Sequence, residues 1–263
     1  NLEGLNFVEE SKRYYPNGNL AAQVLGFVGT DDKGLDGLEM VLDDELKGGI
    51  QKELVATDRK GNAIFGSVLS KYLPDKGKSV TLTIDASIQF IAERALDKAM
   101  EDTGAKHASV IVMDPKTGEI LAMANRPTYD PNHYSQGSEE DFKNIAVTNL
   151  YEPGSTFKPI IASAALASGK WKLDQVYNDK GSFAANGHVM QNWNGEGYGP
   201  VRLIDILKFS INTGMAEIGT TTGADILSKY VRNYGFGSKT GIELPGEGDG
   251  ILYNPDDMSK LDV

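Results

Sequence analysis

The stretch Glu152-Pro153-Gly154-Ser155-Thr156-Phe157-Lys158-Pro159 constrains this chain more than any other. Pro153-Gly154 breaks whatever precedes it, and the apolar run Ile160–Leu166 follows at once. That order predicts a loop feeding a buried helix, with Ser155 near its first turn. Ser155 and Lys158 are three positions apart, so on a helix they share a face. A hydroxyl at a helix start sits beside unpaired N–H groups at the positive end of the dipole. A neighbouring lysine, once desolvated, loses its proton more easily and can act as a general base. Together they make a serine nucleophile that needs no histidine.

Ser-x-x-Lys by itself is weak, since roughly one match arises by chance in a chain of this length. A bare match is more often a capped helix start with a solvated lysine. Here it is the only match, and the Pro-Gly before it and the apolar helix after it sharpen it. A second element adds to it. Ser210-Ile211-Asn212 is the only Ser-x-Asn, placed between the amphipathic run Val201–Phe209 and the helical run Met215–Thr220. At such a junction a hydroxyl can relay a proton and a carboxamide can hold an amide group. An ordinary N-cap serine would fit the tripeptide equally well.

With these residues in order, the chain resembles a class B penicillin-binding protein, a monofunctional D,D-transpeptidase of peptidoglycan synthesis. Members of the penicillin-recognising serine enzymes carry Ser-x-x-Lys, then Ser-x-Asn, then Lys-Thr-Gly. The resemblance also covers Arg13-Tyr14-Tyr15-Pro16, Val24–Gly29, Gly37-Leu38-Glu39, Leu82–Asp85, Asp114–Glu119 and Arg126–Asn132. The wording around Asn144–Lys158 is closer to the division and sporulation branch than to the elongation branch.

The resemblance implies an α+β fold: a penicillin-binding transpeptidase, serine β-lactamase-like domain, with an antiparallel sheet and helices, beside a small N-terminal pedestal. It places the pedestal at 1–77 and the first portion of the transpeptidase domain at 78–263. It assigns Ser155 as nucleophile, Lys158 as base, Ser210 as proton relay and Asn212 as the residue that positions the peptide and helps orient Lys158. It implies stem peptides ending in D-Ala-D-Ala as substrates and β-lactam antibiotics as acylating mimics. Glycosyltransferase and division proteins are the implied partners, at the extracytoplasmic face of the bacterial membrane. No metal or organic cofactor is implied. Two other readings stay open: a serine β-lactamase or D,D-carboxypeptidase on the same fold, and a non-catalytic module of a cell-wall assembly.

Composition narrows the field. Among 263 residues there is no cysteine, which removes disulfides, thiol nucleophiles and cysteine zinc sites. The three histidines, His107, His133 and His188, form no metallopeptidase pattern. A net charge of −11 argues against nucleic acid. No segment reads as a membrane span, and the chain starts at Asn1 without a signal peptide. The resemblance therefore leads one to expect an excised piece whose membrane anchor lies upstream.

Several local expectations follow. Arg13 reads as an ion-pair residue. Leu35–Leu46 reads as one short helix, ended by Gly48-Gly49. Glu53–Thr57 and Ala63–Val68 read as strands around the turn Asp58–Gly61, and Pro74–Lys78 as a boundary. Ser79–Ile84 reads as a strand, with Asp85 capping the helix after it. Ala108–Met113 and Glu119–Ala124 read as a hairpin, and Arg126–Asn132 as an extended exit from it. Tyr134–Asn144 reads as a loop with a short helix. Asp179–Pro200 reads as a loop, with Trp193 a packing residue. Asp225–Tyr234 reads as a further helix.

Lys239-Thr240-Gly241 looks like the third family motif, but loop residues flank it on both sides. In the family, a similar stretch precedes the true motif. The expectation is thus a chain ending before the strand that carries the true Lys-Thr-Gly, with nucleophile, base and relay kept and activity impaired. That strand supplies an oxyanion-hole donor, whose loss costs on the order of hundredfold or more.

Overall fold

The computed structural model describes residues 12–47, 77–185 and 187–257. Contacts divide the chain into two compact units, Asn1–Asn149 with Glu243–Glu247 and Leu150–Ile242 with Gly248–Val263. The expected Gly48-Gly49 stop, the two strands within 53–68 and their turn, and Pro74–Lys76 of the expected boundary lie outside the described residues.

In the first unit, α1 (Ala22–Leu25) ends at Gly26. A Cβ on Gly26 would stand 1.8 Å from the carbonyl oxygen of Asp36, so two backbone segments cross there at a distance that only glycine allows. The expected single helix over Leu35–Leu46 is two, α2 (Gly37–Val41) and α3 (Asp43–Leu46). Asp36 caps the first, and Leu42 leaves helical geometry between them. The run Asp43-Asp44-Glu45 explains the restart, because acids are most stable in a helix's first turn. Arg13 forms its expected ion pair, with Nε 2.8 Å and Nη2 3.0 Å from the two Glu39 carboxylate oxygens.

Ser79–Ile84 is irregular rather than a strand. Its link to the sheet is the Thr83 hydroxyl donating to the Ile120 carbonyl, followed by the Asp85 N–H donating to Leu121. Asp85 accepts from the N–H groups of Ser87 and Ile88 and so opens α4 (Ala86–Thr103). β1 (Ala108–Met113) and β2 (Ile120–Arg126) pair antiparallel, Val110 opposite Ala124. Gln89 of α4 uses its amide as a strand would, accepting from the Met123 N–H at 2.8 Å and donating to the Met123 carbonyl at 2.9 Å. Arg126 ends β2 buried against Asp97 and Glu93. Beyond it a 3-10 turn (Pro131–Gln136), α5 (Glu139–Phe142) and α6 (Ile145–Thr148) complete the unit. Tyr129, Tyr134 and Phe142 gather there around Phe27.

The second unit opens with a 3-10 turn (Gly154–Phe157) running into α7 (Lys158–Ala167). The expected loop over Asp179–Pro200 holds strands over half of its length. β3 (Val176–Asp179) pairs with β6 (Gly199–Arg202), and between them β4 (Ser182–Ala185) pairs with β5 (His188–Gln191). Trp193 is not a packing residue; it is 76% exposed, and Trp171 is the buried indole. α8 (Leu203–Lys208), α9 (Asn212–Thr222) and α10 (Ala224–Asn233) follow. The core joins Ala162 and Ala165 of α7 to Val201, Ile206, Ile211, Met215 and Ile218. α8 and α9 approach closely at Gly214, where a Cβ would lie 2.8 Å from the fully buried Ile206 side chain. Among the described residues the strands form three two-stranded antiparallel sheets, and no helix is long and apolar enough to cross a membrane.

Candidate active site

Gly154, at φ 58°, turns the chain into a tight 3-10 turn, and the Thr156 hydroxyl locks it by donating to the Pro153 carbonyl at 2.7 Å. Ser155 stands exposed on that turn, while Lys158 opens α7 and is half-buried. Pro159 is tolerated because the first helical turn has no intrahelical use for its missing N–H.

The other half of the site is a break between two helices. Ser210 has φ 54°, in the left-handed region that non-glycine residues seldom adopt. α9 restarts two residues later at Asn212. Ile211 between them is fully buried in the core, which anchors the junction. Ser210 and Asn212 are thereby turned toward α7.

Lys158 Nζ lies 2.8 Å from the Ser210 carbonyl, 2.9 Å from Ser210 Oγ and 2.8 Å from Asn212 Oδ1. These three acceptors match the three donors of an ammonium group. Ser210 Oγ in turn donates to Ser155 Oγ at 2.9 Å. The structure thus brings all four sequence-expected residues together, with one adjustment. Ser155 reaches Lys158 through the Ser210 hydroxyl rather than along a shared helix face, because Ser155 sits on the 3-10 turn, three residues ahead of the start of α7. Burial lowers the Lys158 pKa below the ordinary lysine value, since a desolvated ammonium is the less stable form.

A groove of about 640 Å³ opens beside Lys158 and Asn212. Phe157, Ile161 and Met215 line one part of it, and Phe183, Val189 and Met190 of the β4–β5 hairpin another. Lys239-Thr240-Gly241 is irregular, as its flanks suggest, and Lys239 faces Asp249 at 3.8 Å.

Behind Asn212 lies a buried polar cluster that the sequence did not single out. Asn192 Oδ1 accepts from the N–H groups of Asn212 at 3.0 Å and Thr213 at 3.3 Å. Asn192 Nδ2 donates to Asp179 Oδ2 at 2.8 Å, and the Thr213 hydroxyl donates to Asp179 Oδ1 at 2.6 Å. The sequence signal was slight: Thr213 follows the Ser-x-Asn directly, while Asp179 and Asn192 come from distant strand ends.

Residues 108–262 match the family model for the penicillin-binding protein transpeptidase domain, and residues 1–82 the model for the penicillin-binding protein dimerisation domain. The chain is 40% identical over 255 residues to stage V sporulation protein D of Bacillus subtilis, covering 96% of this chain and 39% of that one. It is 32% identical over 261 residues to the peptidoglycan D,D-transpeptidase FtsI of Escherichia coli, covering 99% and 44%. The solved apo structure of penicillin binding protein 3 from Mycobacterium tuberculosis superposes with a TM-score of 0.80 at 31% identity, covering 95% of this chain and 53% of that one. The same protein has been solved with aztreonam and with ampicillin. The chain therefore spans about two-fifths of the length of these curated relatives and half of the solved chain. Its mixed helix-and-sheet architecture is the penicillin-binding transpeptidase fold. On the match over 108–262, more than half of its length, the chain belongs to the penicillin-binding protein transpeptidase family.

Proposed function

We propose that this chain carries the nucleophile, base and relay of a peptidoglycan D,D-transpeptidase that is also acylated by β-lactams. The observation that carries the reading is the hydrogen-bonded series Ser155–Ser210–Lys158–Asn212. The names of the relatives and the β-lactam complexes of the solved neighbour support it.

In this reading Ser155 Oγ attacks the carbonyl carbon of the penultimate D-alanine. Its proton passes through the Ser210 hydroxyl to neutral Lys158, and both hydroxyls can rotate to donate in that direction. The tetrahedral intermediate collapses with cleavage of the C–N bond. The leaving amine takes the proton back from Lys158 through Ser210, and the terminal D-alanine departs. An amine from a second stem peptide then attacks the ester carbon, its proton returns along the same route, and Ser155 is freed with a cross-link formed. Asn212 holds Lys158 and the substrate amide. In a β-lactam the cleaved C–N bond lies in the ring, so the amine stays tethered and the acyl-enzyme persists.

The substrate places the reaction outside the cytoplasmic membrane. The likeness to a sporulation protein and to FtsI favours the division and sporulation branch, with cell-wall synthesis proteins as partners. The test is intact-mass spectrometry of the protein as encoded after incubation with benzylpenicillin. A one-to-one adduct that Ser155→Ala abolishes is the expected result. An adduct that survives Ser155→Ala, or none at all, overturns the reading.

A further inference from the structure

The N-terminus of α9 carries Asn212, yet the residue before it gives no side-chain cap. A helix start needs acceptors for its first N–H groups. Here Asn192, beyond the end of β5, supplies one oxygen to two of them. We propose that Asn192, oriented by Asp179, is a positioning residue: it caps α9 from outside the helix and so sets where Asn212 holds the Lys158 amine. The proposal rests on the transpeptidase reading above and adds to it residues outside the family motifs.

The amide of Asn192 can sit in one orientation. Its oxygen faces two backbone donors, and its nitrogen faces the Asp179 carboxylate and the Glu196 carbonyl, 2.9 Å away. Turning it over would set donors against donors and acceptors against acceptors. Asp179 is fixed as firmly. It accepts from Asn192, Thr213, and the N–H groups of Gly181 and Tyr198, each at 2.9 Å or less. Asp179, Asn192 and Thr213 are 2%, 4% and 0% exposed, so water cannot replace a missing partner cheaply. The Asn212 side chain is held at its other end too, Nδ2 donating to the Gln191 carbonyl at 3.2 Å, next to Asn192 in the chain. Residues 191 and 192 therefore grip both the backbone and the side chain of Asn212. A displacement of about 1 Å at such a point is enough to cost on the order of a hundredfold in rate.

The test measures benzylpenicillin acylation of the protein as encoded, with the acylation rate constant separated from the dissociation constant of the initial complex. Asn192→Leu keeps the shape and removes the amide. It is expected to slow the acylation step by about tenfold or more and leave the dissociation constant within about threefold. In an Asn212→Ala background the same change should cost little further, because its effect passes through Asn212. Thr213→Val should slow acylation as well, and Thr213→Ser, which keeps the hydroxyl, should restore it. The Thr213 pair keeps the test decisive should Asn192→Leu fail to fold. Acylation of Asn192→Leu or Thr213→Val at the wild-type rate overturns the proposal, as does a full additional loss from Asn192→Leu on top of Asn212→Ala. If the wild-type protein is itself not acylated on Ser155, it is the underlying transpeptidase reading that fails.

Discussion

Lys158 Nζ and Asn212 Oδ1 lie 2.8 Å apart although 54 positions separate them in the chain. The contact ties the start of α7 to the start of α9. It gives a half-buried amine a neutral acceptor while burial pushes its pKa down. A neutral partner holds the lysine in place without the strong preference for the charged form that a carboxylate would impose.

The first prediction concerns that amine. Lys158→Met should slow acylation by benzylpenicillin by about 10²–10⁴-fold, the usual worth of a general base. In the proposed mechanism the reactive form is the neutral amine, so the rate should rise with pH through the Lys158 pKa. Because burial holds that pKa below the ordinary value of 10.5, the midpoint of the rise should lie below 10.5. A rate-against-pH profile whose limb sits at or above 10.5 contradicts this.

Ser210 separates backbone from side-chain effects. Ser210→Ala and Ser210→Gly both remove the hydroxyl between Ser155 and Lys158, and both should slow acylation to a similar extent. They should differ in stability. At φ 54° alanine keeps the strain of a left-handed residue and glycine does not, so the glycine variant should be the more stable by about 1 kcal/mol in urea unfolding. Equal midpoints at equal slope would show that the junction is not strained.

Gly214 tests the packing beneath the site. Gly214→Ala drives a methyl group into Ile206, which is fully buried and β-branched and so cannot swing aside. The expected loss is about 1–3 kcal/mol of stability, by denaturant unfolding. α9 carries Asn212, so acylation should slow in the same variant.

Arg126→Met removes the cation beside buried Glu93. Glu93 keeps the Ala21 N–H and the Gln89 amide, both at 2.8 Å, but its charge is left without a counter-ion. A loss on the order of 3 kcal/mol is expected. Glu93→Gln in the same background should recover part of it, and a double-mutant cycle on unfolding free energies checks both.

Asp179 makes a pH prediction of opposite sign to a base. Burial by itself would raise its pKa, but the hydrogen bonds from Thr213, Tyr198, Gly181 and Asn192 outweigh that and hold it below the ordinary 3.8. Its contribution to stability should be complete above pH 3.8 and be lost as pH falls below that value, through the lowered folded-state pKa. Urea midpoints measured from pH 5 downward should show this decline flattened in Asp179→Asn.

What the sequence disclosed depended on whether the signal was local. Asp85 as a cap and the β1–β2 hairpin each rest on neighbouring residues, and each stands as expected. Ser155, Lys158, Ser210 and Asn212 were legible from spacing and flanking breakers. β3 to β6 were not, because they are four residues long, interspersed with polar groups, and exposed along much of their faces. Such strands lack the alternation that marks a half-buried sheet. Leu42 kept the apolar spacing of a single helix while the acids after it favoured a restart. Asp179 and Asn192 were silent because their meaning lies in partners up to 34 positions away.

The break at Ser210 has one more effect. In an uninterrupted helix the Ser210 carbonyl would accept the Gly214 N–H and be lost to the ladder. α8 stops short and α9 starts afresh, so that carbonyl is left over, and Lys158 takes it at 2.8 Å. One of the three atoms that seat the amine is thus supplied by no side chain. No substitution at position 210 that keeps the left-handed turn can delete it, while any change that let the two helices fuse would.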